Sequence, residues 1–348
     1  MAMLSKYGNL TTDVAHFPGR VFWVAPSSPY YIDGKSYEAS DNNDGLSPDR
    51  ALATVARGVA LTKLLADGSA ATASTNYGDV IVLLPGTHTA TANLAMSQAG
   101  VTLMGLPGVQ PANSYAVGGS VKNSVPITAL TCSASATTIF VSAADVTIAN
   151  LRLYPKVANA CISFTTAASR LRLVNCMLDL ATTTNHNSNR GMVGESSASA
   201  GTDATQAPVD IQVVGCYIKE ANGGTSNGAA LDLSAAVNFL VSDCYIYKEF
   251  TASSVAWTLA VQVNDNTSGV FDNNVIFCTG GGAGDAITAG IKGASLTGAS
   301  VVSFKRNLVG VNVTSPFTGF AAADCDLGLN YVATAAGGSG GSLITSTT

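Results

Sequence analysis

The pattern that decides the fold is carried by Ile211-Gln-Val-Val-Gly-Cys-Tyr-Ile218, in which apolar residues alternate with other residues up to a turn glycine and resume around a cysteine. The same pattern recurs in Val146-Thr-Ile-Ala-Asn-Leu-Arg-Leu153, Leu171-Arg-Leu-Val-Asn-Cys-Met-Leu178, Phe239-Leu-Val-Ser-Asp-Cys-Tyr-Ile246, Gly269-Val-Phe-Asp-Asn-Asn-Val-Ile276 and Val302-Ser-Phe-Lys-Arg-Asn-Leu-Val309. The alternation has a period of two, which indicates a strand and not a helix. Gly, Asn or Asp stands at the fifth position of all but the last stretch, as a turn requires.

The spacing of the repeats predicts the architecture. The sixth position falls at intervals of 25, 40, 28, 30 and 33 residues and is occupied by Leu151, Cys176, Cys216, Cys244, Asn274 and Asn307. Repeats of about 20 to 50 residues indicate a solenoid, a propeller or an array. The Leu-rich frame of a leucine-rich repeat is absent, and two Trp residues are too few for a recurrent propeller signal. We therefore predict an all-β coil of parallel strands whose sixth positions stack inside the core, thiols filling space and amides bonding to one another.

Composition excludes several classes of protein. The chain has 348 residues, 11% charged, with a net charge of -5 and no basic block, which argues against nucleic-acid binding. The longest strong apolar run, Val80 to Leu84, ends at Pro85 and is far shorter than the ~18 residues of a membrane span. Residues 1–8 lack the apolar centre of a secretory signal. The seven Cys residues form no Cys-x-x-Cys pair, so we expect buried free thiols and a reducing compartment.

Four regions follow from the local patterns. Residues 1–40 hold seven of the 24 aromatic residues and are predicted to form an arm, either packed on the first coils or anchored in a partner subunit. Residues 41–78 contain a turn-rich run and a helix predicted from Pro48 to about Ala66, with Ser47 as N-cap and Gly68 as the stop, which would cap the open end of the coil. The coil is predicted over residues 79–331, with an extra polar loop near 182–210, followed by a flexible Gly/Ser-rich tail over 332–348.

Several of these motifs resemble those of a known family. Tyr30-Tyr31-Ile32, Asp41-Asn-Asn-Asp-Gly-Leu-Ser-Pro48, Ala51-Leu-Ala-Thr-Val55 and Gly78-Asp-Val-Ile-Val-Leu-Leu-Pro-Gly-Thr87 are similar to the opening of pectin-lyase-like proteins. The resemblance covers about residues 30–310. It implies a single-stranded right-handed parallel β-helix, a fold found in polysaccharide lyases, in hydrolases and in bacteriophage spikes. Fold alone does not choose among these functions.

Motifs for catalysis are missing from the sequence. The polygalacturonase segments Asn-Thr-Asp, Asp-Asp, His-Gly and Arg-Ile-Lys do not occur, nor does a Gly-x-Ser-x-Gly elbow, and His16, His88 and His186 lie in separate segments. Two charged pairs, Lys219-Glu220 and Lys248-Glu249, follow equivalent strands; they are either an acid/base patch or surface ion pairs, and we favour the latter. We therefore assign no catalytic, cofactor-binding or metal-ligating residue, and the two glutamates are the first to test.

Two functions remain open from the sequence. The favoured one is a non-enzymatic bacteriophage virion protein, a capsid decoration, vertex, fibre or spike component, trimeric and made in the bacterial cytoplasm, with itself and the capsid shell as partners. The alternative is a tailspike-like β-helix that binds or cleaves host polysaccharide. Its candidate stacking residues are Tyr217, Tyr245, Tyr247 and Trp257. Neither function involves a cofactor, a nucleic acid or a membrane.

Overall fold

The computed structural model shows a coil of parallel strands arranged in three long sheets. It describes residues 19–65, 67–70, 78–106, 109–110, 125–126, 128–133, 137–155, 160–179, 192–194, 208–221, 229–233, 236–250, 259–264, 267–280, 289–294, 302–311, 317–318, 325–327, 330–334 and 342–344. Each coil adds one strand to each sheet in turn, and the strands are numbered in chain order. The predicted parallel β-helix is confirmed.

Sheet 1 consists of β1 (Val21–Val24), β4 (Val80–Leu83), β7 (Thr102–Gly105), β12 (Thr147–Ala149), β15 (Arg172–Val174), β18 (Gln212–Val214), β21 (Phe239–Ser242), β24 (Gly269–Asp272), β27 (Val302–Lys305) and β30 (Cys325–Leu327). Sheet 2 consists of β5 (Gly86–Ala90), β10 (Thr128–Cys132), β13 (Arg152–Pro155), β16 (Met177–Asp179), β19 (Tyr217–Ala221), β22 (Tyr245–Phe250), β25 (Val275–Gly280), β28 (Leu308–Val311), β31 (Asn330–Thr334) and β32 (Ser342–Ile344). Sheet 3 consists of β6 (Leu94–Met96), β11 (Ile139–Val141), β14 (Ile162–Phe164), β17 (Met192–Gly194), β20 (Leu231–Asp232), β23 (Leu259–Asn264), β26 (Ala289–Ala294) and β29 (Phe317–Thr318).

Two short antiparallel hairpins complete the strands: β2 (Tyr30–Ile32) with β3 (Lys35–Tyr37), and β8 (Val109–Gln110) with β9 (Val125–Pro126). Strand β32 pairs antiparallel with β31, so the tail, predicted to be flexible, instead adds a strand to sheet 2. Strand β17 lies inside the stretch predicted as an extra loop, because its Met-Val-Gly core is too short to show a period.

Left-handed corners flank the strands of sheet 1. In four successive coils, two residues five positions apart have φ between 51° and 63°, namely Asp145 and Asn150, Arg170 and Asn175, Asp210 and Gly215, and Asn238 and Asp243. Asn, Asp and Gly tolerate this conformation better than other residues. The fifth position of the sequence repeat is therefore the corner between sheets 1 and 2, and it turns the next residue into the core.

That next residue forms the predicted ladder in the core. The side chains at this position are all at most 2% exposed; they belong to Leu151, Cys176, Cys216, Cys244, Asn274 and Asn307. The register extends the ladder at both ends, to Thr128 beside Leu151 and to Asn330 after Asn307. The five described thiols, Cys132, Cys161, Cys176, Cys216 and Cys244, are buried and free, as predicted.

The capping helix is confirmed, but its predicted start and end are wrong. Pro48–Arg50 is a short 3-10 helix, and the α-helix α1 (Val55–Thr62) begins after Thr54, whose hydroxyl accepts a hydrogen bond from the backbone of Arg57 at 3.1 Å. The Ser47 side chain makes no capping hydrogen bond. The intervening residue Leu52 is fully buried and forms a bridge with Val24, which breaks the helix predicted across it. Lys63, and not Gly68, ends α1.

Part of the aromatic arm belongs to the first coil. Strand β1 pairs with β4, so the β-helix starts upstream of residue 79, the predicted boundary. Arg20 fixes the start of this strand, because its guanidinium donates hydrogen bonds to the buried Asp79 carboxylate at 2.6 Å and to the carbonyl of Leu61 at 3.2 Å. The hairpin β2–β3 covers the outer face of sheet 1, where Trp23 and Tyr30 are buried with Val82 and Met104. Residues 1–18 of the arm predicted over 1–40, the possible anchor for a partner, lie outside the described residues.

The turn-rich run of the family resemblance has a structural role. Asp41 accepts hydrogen bonds from the backbones of Ala53 and Thr54 at 3.0 and 2.9 Å, and Asn43 donates to the carbonyl of Ala51 at 2.9 Å. These bonds hold the segment that leads into α1. Among the described residues, no helix is both long and apolar enough to cross a bilayer.

Candidate functional site

Three of the predicted stacking residues meet on the outer face of sheet 2. Tyr217 lies on β19, and Tyr245 and Tyr247 lie two residues apart on β22. Successive residues of a strand point to opposite faces, so all three share the face opposite to the buried Ile218 and Ile246. Trp257, the fourth predicted residue, lies outside the described residues.

The rings contact one another closely. Tyr217 and Tyr245 stack with centroids 5.0 Å apart and planes 2° apart, and Tyr245 and Tyr247 lie 6.5 Å apart at 21°. Such offset stacks are favourable by about 0.5 to 1.5 kcal/mol beyond the area they bury. Direct register explains the first pair, because Tyr217 and Tyr245 are partners in the parallel ladder.

A fourth ring, missed in the sequence, completes the group. Phe277 on β25 is the ladder partner of Tyr247, and its centroid is 6.0 Å from that of Tyr245. Its signal was present: Phe277 follows Val275 by two residues, as Tyr247 follows Tyr245. Tyr217, Tyr245, Tyr247 and Phe277 are called the aromatic cluster below.

Burial separates the four rings into two roles. Tyr245 is only 9% exposed because the other three rings surround it, whereas Tyr217, Tyr247 and Phe277 are half-buried. Burial, with a smaller effect of Tyr247, raises the pKa of the Tyr245 hydroxyl above its usual value. Tyr245 therefore supports the cluster, and the other three rings are the ones that a ligand can reach.

The positions around the cluster are mixed, since Asp179 is the ladder partner of Lys219 and Glu249 stands two residues beyond Tyr247 on β22. Met177 precedes Tyr217 in the ladder, and Val275 and Leu308 follow Tyr245. A methyl group on Gly310 would lie 2.2 Å from Phe277, so the ring rests on the backbone of that glycine. Lys219, half-buried, is the partner of Tyr247 and stands two residues beyond Tyr217.

The register does not unite the two predicted glutamates. Glu220 pairs with Lys248, and Glu249 pairs with Ala221, so the two carboxyl residues are offset by one position and are not ladder partners. The side chains of Glu220, Lys248 and Glu249 are outside the described part of the structure. The equal positions of the two charged pairs in the sequence suggested an acid/base patch. The backbone register does not place the two glutamates opposite each other.

The histidine and the thiols that the structure describes are buried in the core. His88 is 3% exposed, its Nε2 lies 2.9 Å from the carbonyl of Leu84, and burial lowers the pKa of its imidazole. Contact with the thiol of Cys216, and then burial, raise the pKa of the Cys176 thiol well above its usual value. His16 and His186 are not among the described residues. Groups held neutral in this way do not present a nucleophile or base to solvent.

Charged side chains at the corners pair with one another. Nη2 of Arg170 lies 2.6 Å from Oδ2 of Asp145 in the preceding coil. Arg306 pairs with Asp272 of its preceding coil in the same way. Hydrogen bonding to Arg306 lowers the pKa of Asp272. In the part of the chain that the structure describes, no three His, Cys, Asp or Glu residues are grouped to hold a metal ion.

Comparison with known proteins finds only distant similarity. No protein-family profile matches the chain. No curated protein matches it either. Among solved structures, pectate lyase Pel9A has a TM-score of 0.49 at 12% identity over 91% of this chain and 81% of the lyase. The pectin methylesterase of Aspergillus niger has a TM-score of 0.48 at 12% identity over 84% of this chain and 85% of the esterase.

A viral protein is also similar. ORF18 of Geobacillus virus E2 has a TM-score of 0.34 at 10% identity, over 95% of this chain and 64% of the viral chain. The structural neighbours thus include enzymes of the pectin-lyase-like superfamily that the N-terminal motifs resemble. At such TM-scores they indicate neither an activity nor a location for this chain.

Proposed function

We propose that the protein is a rigid β-helix that binds polysaccharide through the aromatic cluster. The observation that carries the proposal is the grouping of three half-buried rings around the buried Tyr245 across three consecutive coils. An aromatic ring offers an apolar face to the C–H groups of a sugar, and a tyrosine adds a hydroxyl for its polar groups. A site with a few convergent polar groups on an apolar surface is typical of ligand recognition.

The backbone supports binding because it holds the rings in place. Strands position side chains more exactly than loops do, and Tyr217, Tyr245 and Phe277 lie on strands paired on both sides. Rings that are already packed together lose little conformational freedom when a ligand arrives, so less of the binding energy is spent on ordering.

The first experiment measures retention of the protein in gels that contain purified bacterial surface polysaccharides. Tyr247→Ala removes one accessible ring and should weaken binding about tenfold, since one lost stacking contact of about 1.4 kcal/mol corresponds to that factor. Tyr31→Ala is the matched control, because Tyr31 is 71% exposed on the hairpin β2–β3, away from the cluster. Equal affinity of Tyr247→Ala and the native protein would refute binding at the cluster.

The same samples test for cleavage of the polysaccharide. Release of new reducing ends, abolished by Glu220→Gln or Glu249→Gln, would make the protein a depolymerase and would add a catalytic site next to the cluster. Binding without new reducing ends would leave a glycan-binding protein.

We further propose that this β-helix is a bacteriophage virion component, homotrimeric and assembled in the host bacterial cytoplasm with the capsid shell or another virion protein as partner. The family resemblance and the low charge favour this proposal, as do the buried free thiols, which suit a reducing compartment. Deletion of residues 1–18 leaves β1 intact and should abolish attachment to particles, whereas a deletion that includes Val21–Val24 should also unfold the first coil. Attachment of the truncated protein would refute the anchor, and sedimentation as a monomer would refute the trimer.

A further inference from the structure

One histidine stands in the aliphatic row that lines the inner face of sheet 2. The members of the row are ladder partners in successive coils: His88, Leu130, Leu153, Leu178, Ile218, Ile246, Ile276 and Val309. The seven aliphatic members are fully buried, and His88 is 3% exposed. The first strand of the sheet therefore places an ionisable ring where the next seven strands place an aliphatic side chain.

His88 lies at the capped end of the core. Its strand β5 is the terminal strand of sheet 2 and pairs with β10, and α1 packs against β4, β5 and β6. Nε2 of His88 lies 2.9 Å from the carbonyl of Leu84, which can only accept, so Nε2 carries the hydrogen and Nδ1 is the nitrogen that can take up a proton. No hydrogen bond of Nδ1 is found among the described residues.

The elements around β5 offer no counter-charge to a protonated imidazole. Strands β4, β5, β6 and β10 and helix α1 contain no Asp or Glu, and their charged or titratable side chains besides His88 are Arg57 on α1 and the thiol of Cys132 on β10. The buried Asp79 at the same end differs, because its carboxylate is paired with Arg20 at 2.6 Å. A buried charge without a partner is costly, so a protonated His88 favours a state in which the ring reaches water.

We infer that His88 makes the capped end of the β-helix an acid-sensitive switch: in mildly acidic solution the ring takes up a proton, α1 and β5 separate from the core, and the following coils stay folded. The end can open by itself because β5 and β6 are each the last strand of their sheet. Opening uncovers the edge of β10 and the apolar end of the core, a surface that can pair with another chain. The inference is independent of glycan binding, since β5 lies four strands away from β19 in sheet 2.

The direction of the pH effect follows from burial, which lowers the pKa of the His88 imidazole. A histidine in water titrates near 6.5, so above that pH neither the closed nor the opened state holds the proton. Below it the opened state binds a proton that the closed state does not. The closed end therefore loses stability as the pH falls from about 6.5, and the ratio of opened to closed molecules rises by up to about tenfold per pH unit until the closed state is itself protonated.

Amide hydrogen exchange of the full chain, from about pH 8 to about pH 4.5, measures this opening in α1 and β5, with β24 and β27 as the internal reference. His88→Leu is the matched control, because it supplies the residue type of the neighbouring Leu130 and does not titrate. Comparison at the same pH cancels the intrinsic exchange rates and the titration of every other group. Relative to His88→Leu, the protection of α1 and β5 in the native chain should fall by up to about tenfold per pH unit below about 6.5, and that of β24 and β27 should be equal in the two proteins.

His88→Gln keeps a side-chain N–H for the carbonyl of Leu84 but is not protonated, so it separates the loss of the hydrogen bond from the titration. It also serves as the comparison if the leucine variant does not fold. Its α1 and β5 should show the same weak pH dependence as those of His88→Leu. Protection of α1 and β5 that falls in parallel in the native chain and both variants would overturn the inference, and so would an acid-induced loss that extends equally to β24 and β27.

Discussion

The coils of Cys176, Cys216 and Cys244 and the coils of Asn274, Asn307 and Asn330 build the same ladder from different chemistry. Each thiol lies 3.4 to 3.6 Å from the carbonyl of a sheet 1 residue in the preceding coil, at Ile148, Leu173 and Val213. Each amide donates to the equivalent carbonyl at 2.9 or 3.0 Å, at Val241, Phe271 and Phe304. One position therefore accepts a thiol or an amide in the same role.

A thiol and an amide are also equivalent as acceptors of a hydrogen bond from the backbone N–H of the preceding coil. The backbone N–H of Cys216 points to the Cys244 sulfur at 3.4 Å, and the backbone N–H of Cys244 donates to Oδ1 of Asn274 at 2.9 Å. Sulfur is a weak donor and a weak acceptor, whereas an amide is strong at both ends. The middle coils therefore depend mainly on apolar packing, while the C-terminal coils also depend on a continuous chain of hydrogen bonds.

Among the substitutions proposed for the ladder, removal of an amide should destabilise the protein most. Asn307→Ala leaves the backbone N–H of Asn274 without its Oδ1 acceptor, removes the donor to Phe271 and opens a cavity. Since each buried group left unpaired costs about 1 to 3 kcal/mol, we expect a loss of about 3 to 5 kcal/mol in the free energy of unfolding, measured by urea denaturation.

The control for this variant is a substitution at Asn273, the corner residue that precedes Asn274. Asn273→Gly removes an exposed amide whose backbone has φ of 54°, a conformation that glycine adopts freely. Its stability should change by less than about 1 kcal/mol. If Asn307→Ala were as mild as this control, the amide ladder would contribute nothing beyond packing.

The second prediction applies the same truncation to the thiol half. Cys216→Ala removes a buried sulfur with only weak hydrogen bonds, to Leu173 at 3.6 Å and Val214 at 3.5 Å. We expect a loss of about 1 to 2 kcal/mol, mostly from the cavity, and therefore a smaller loss than for Asn307→Ala. Equal losses in the two urea titrations would mean that the thiols bond as strongly as the amides.

The ladder also shows how far the sequence alone predicts the fold. Period-two alternation and a turn residue at the fifth position identified six of its members, because both signals come from local backbone geometry. Asn330 was missed because its stretch, Cys325-Asp-Leu-Gly-Leu-Asn330, alternates in the same way but has Leu329 in place of a turn residue at the fifth position, and Thr128 was missed because its coil lacks the corner residue. Strand β1 was missed because a hairpin covers the sheet from outside, with Trp23 buried and Val21 half-buried beneath it, so both faces are apolar and the alternation disappears.

From the sequence, the aromatic cluster could be predicted only where its residues lie two positions apart on one strand or at the same position of the repeat. Tyr245 and Tyr247 sit two apart, and Tyr217 repeats the position of Tyr245, which pointed to a common face. The pairing of Lys219 with Tyr247 and the offset of Glu220 from Glu249 depend on the register between strands, which the repeat spacing does not specify to one residue.

A substitution at the start of the ladder should change stability least, and it should stabilise the protein. Thr128 is fully buried, and its hydroxyl has no hydrogen-bond partner among the described residues, because the next ladder position is the apolar Leu151. Thr128→Val keeps the shape and removes the unpaired hydroxyl, so we expect a gain of about 1 kcal/mol in the free energy of unfolding. Thr131→Val, at a half-buried position on the same strand, should leave stability nearly unchanged. A loss of stability in Thr128→Val would show that the hydroxyl is bonded in solution, and the ladder would then be polar at both ends.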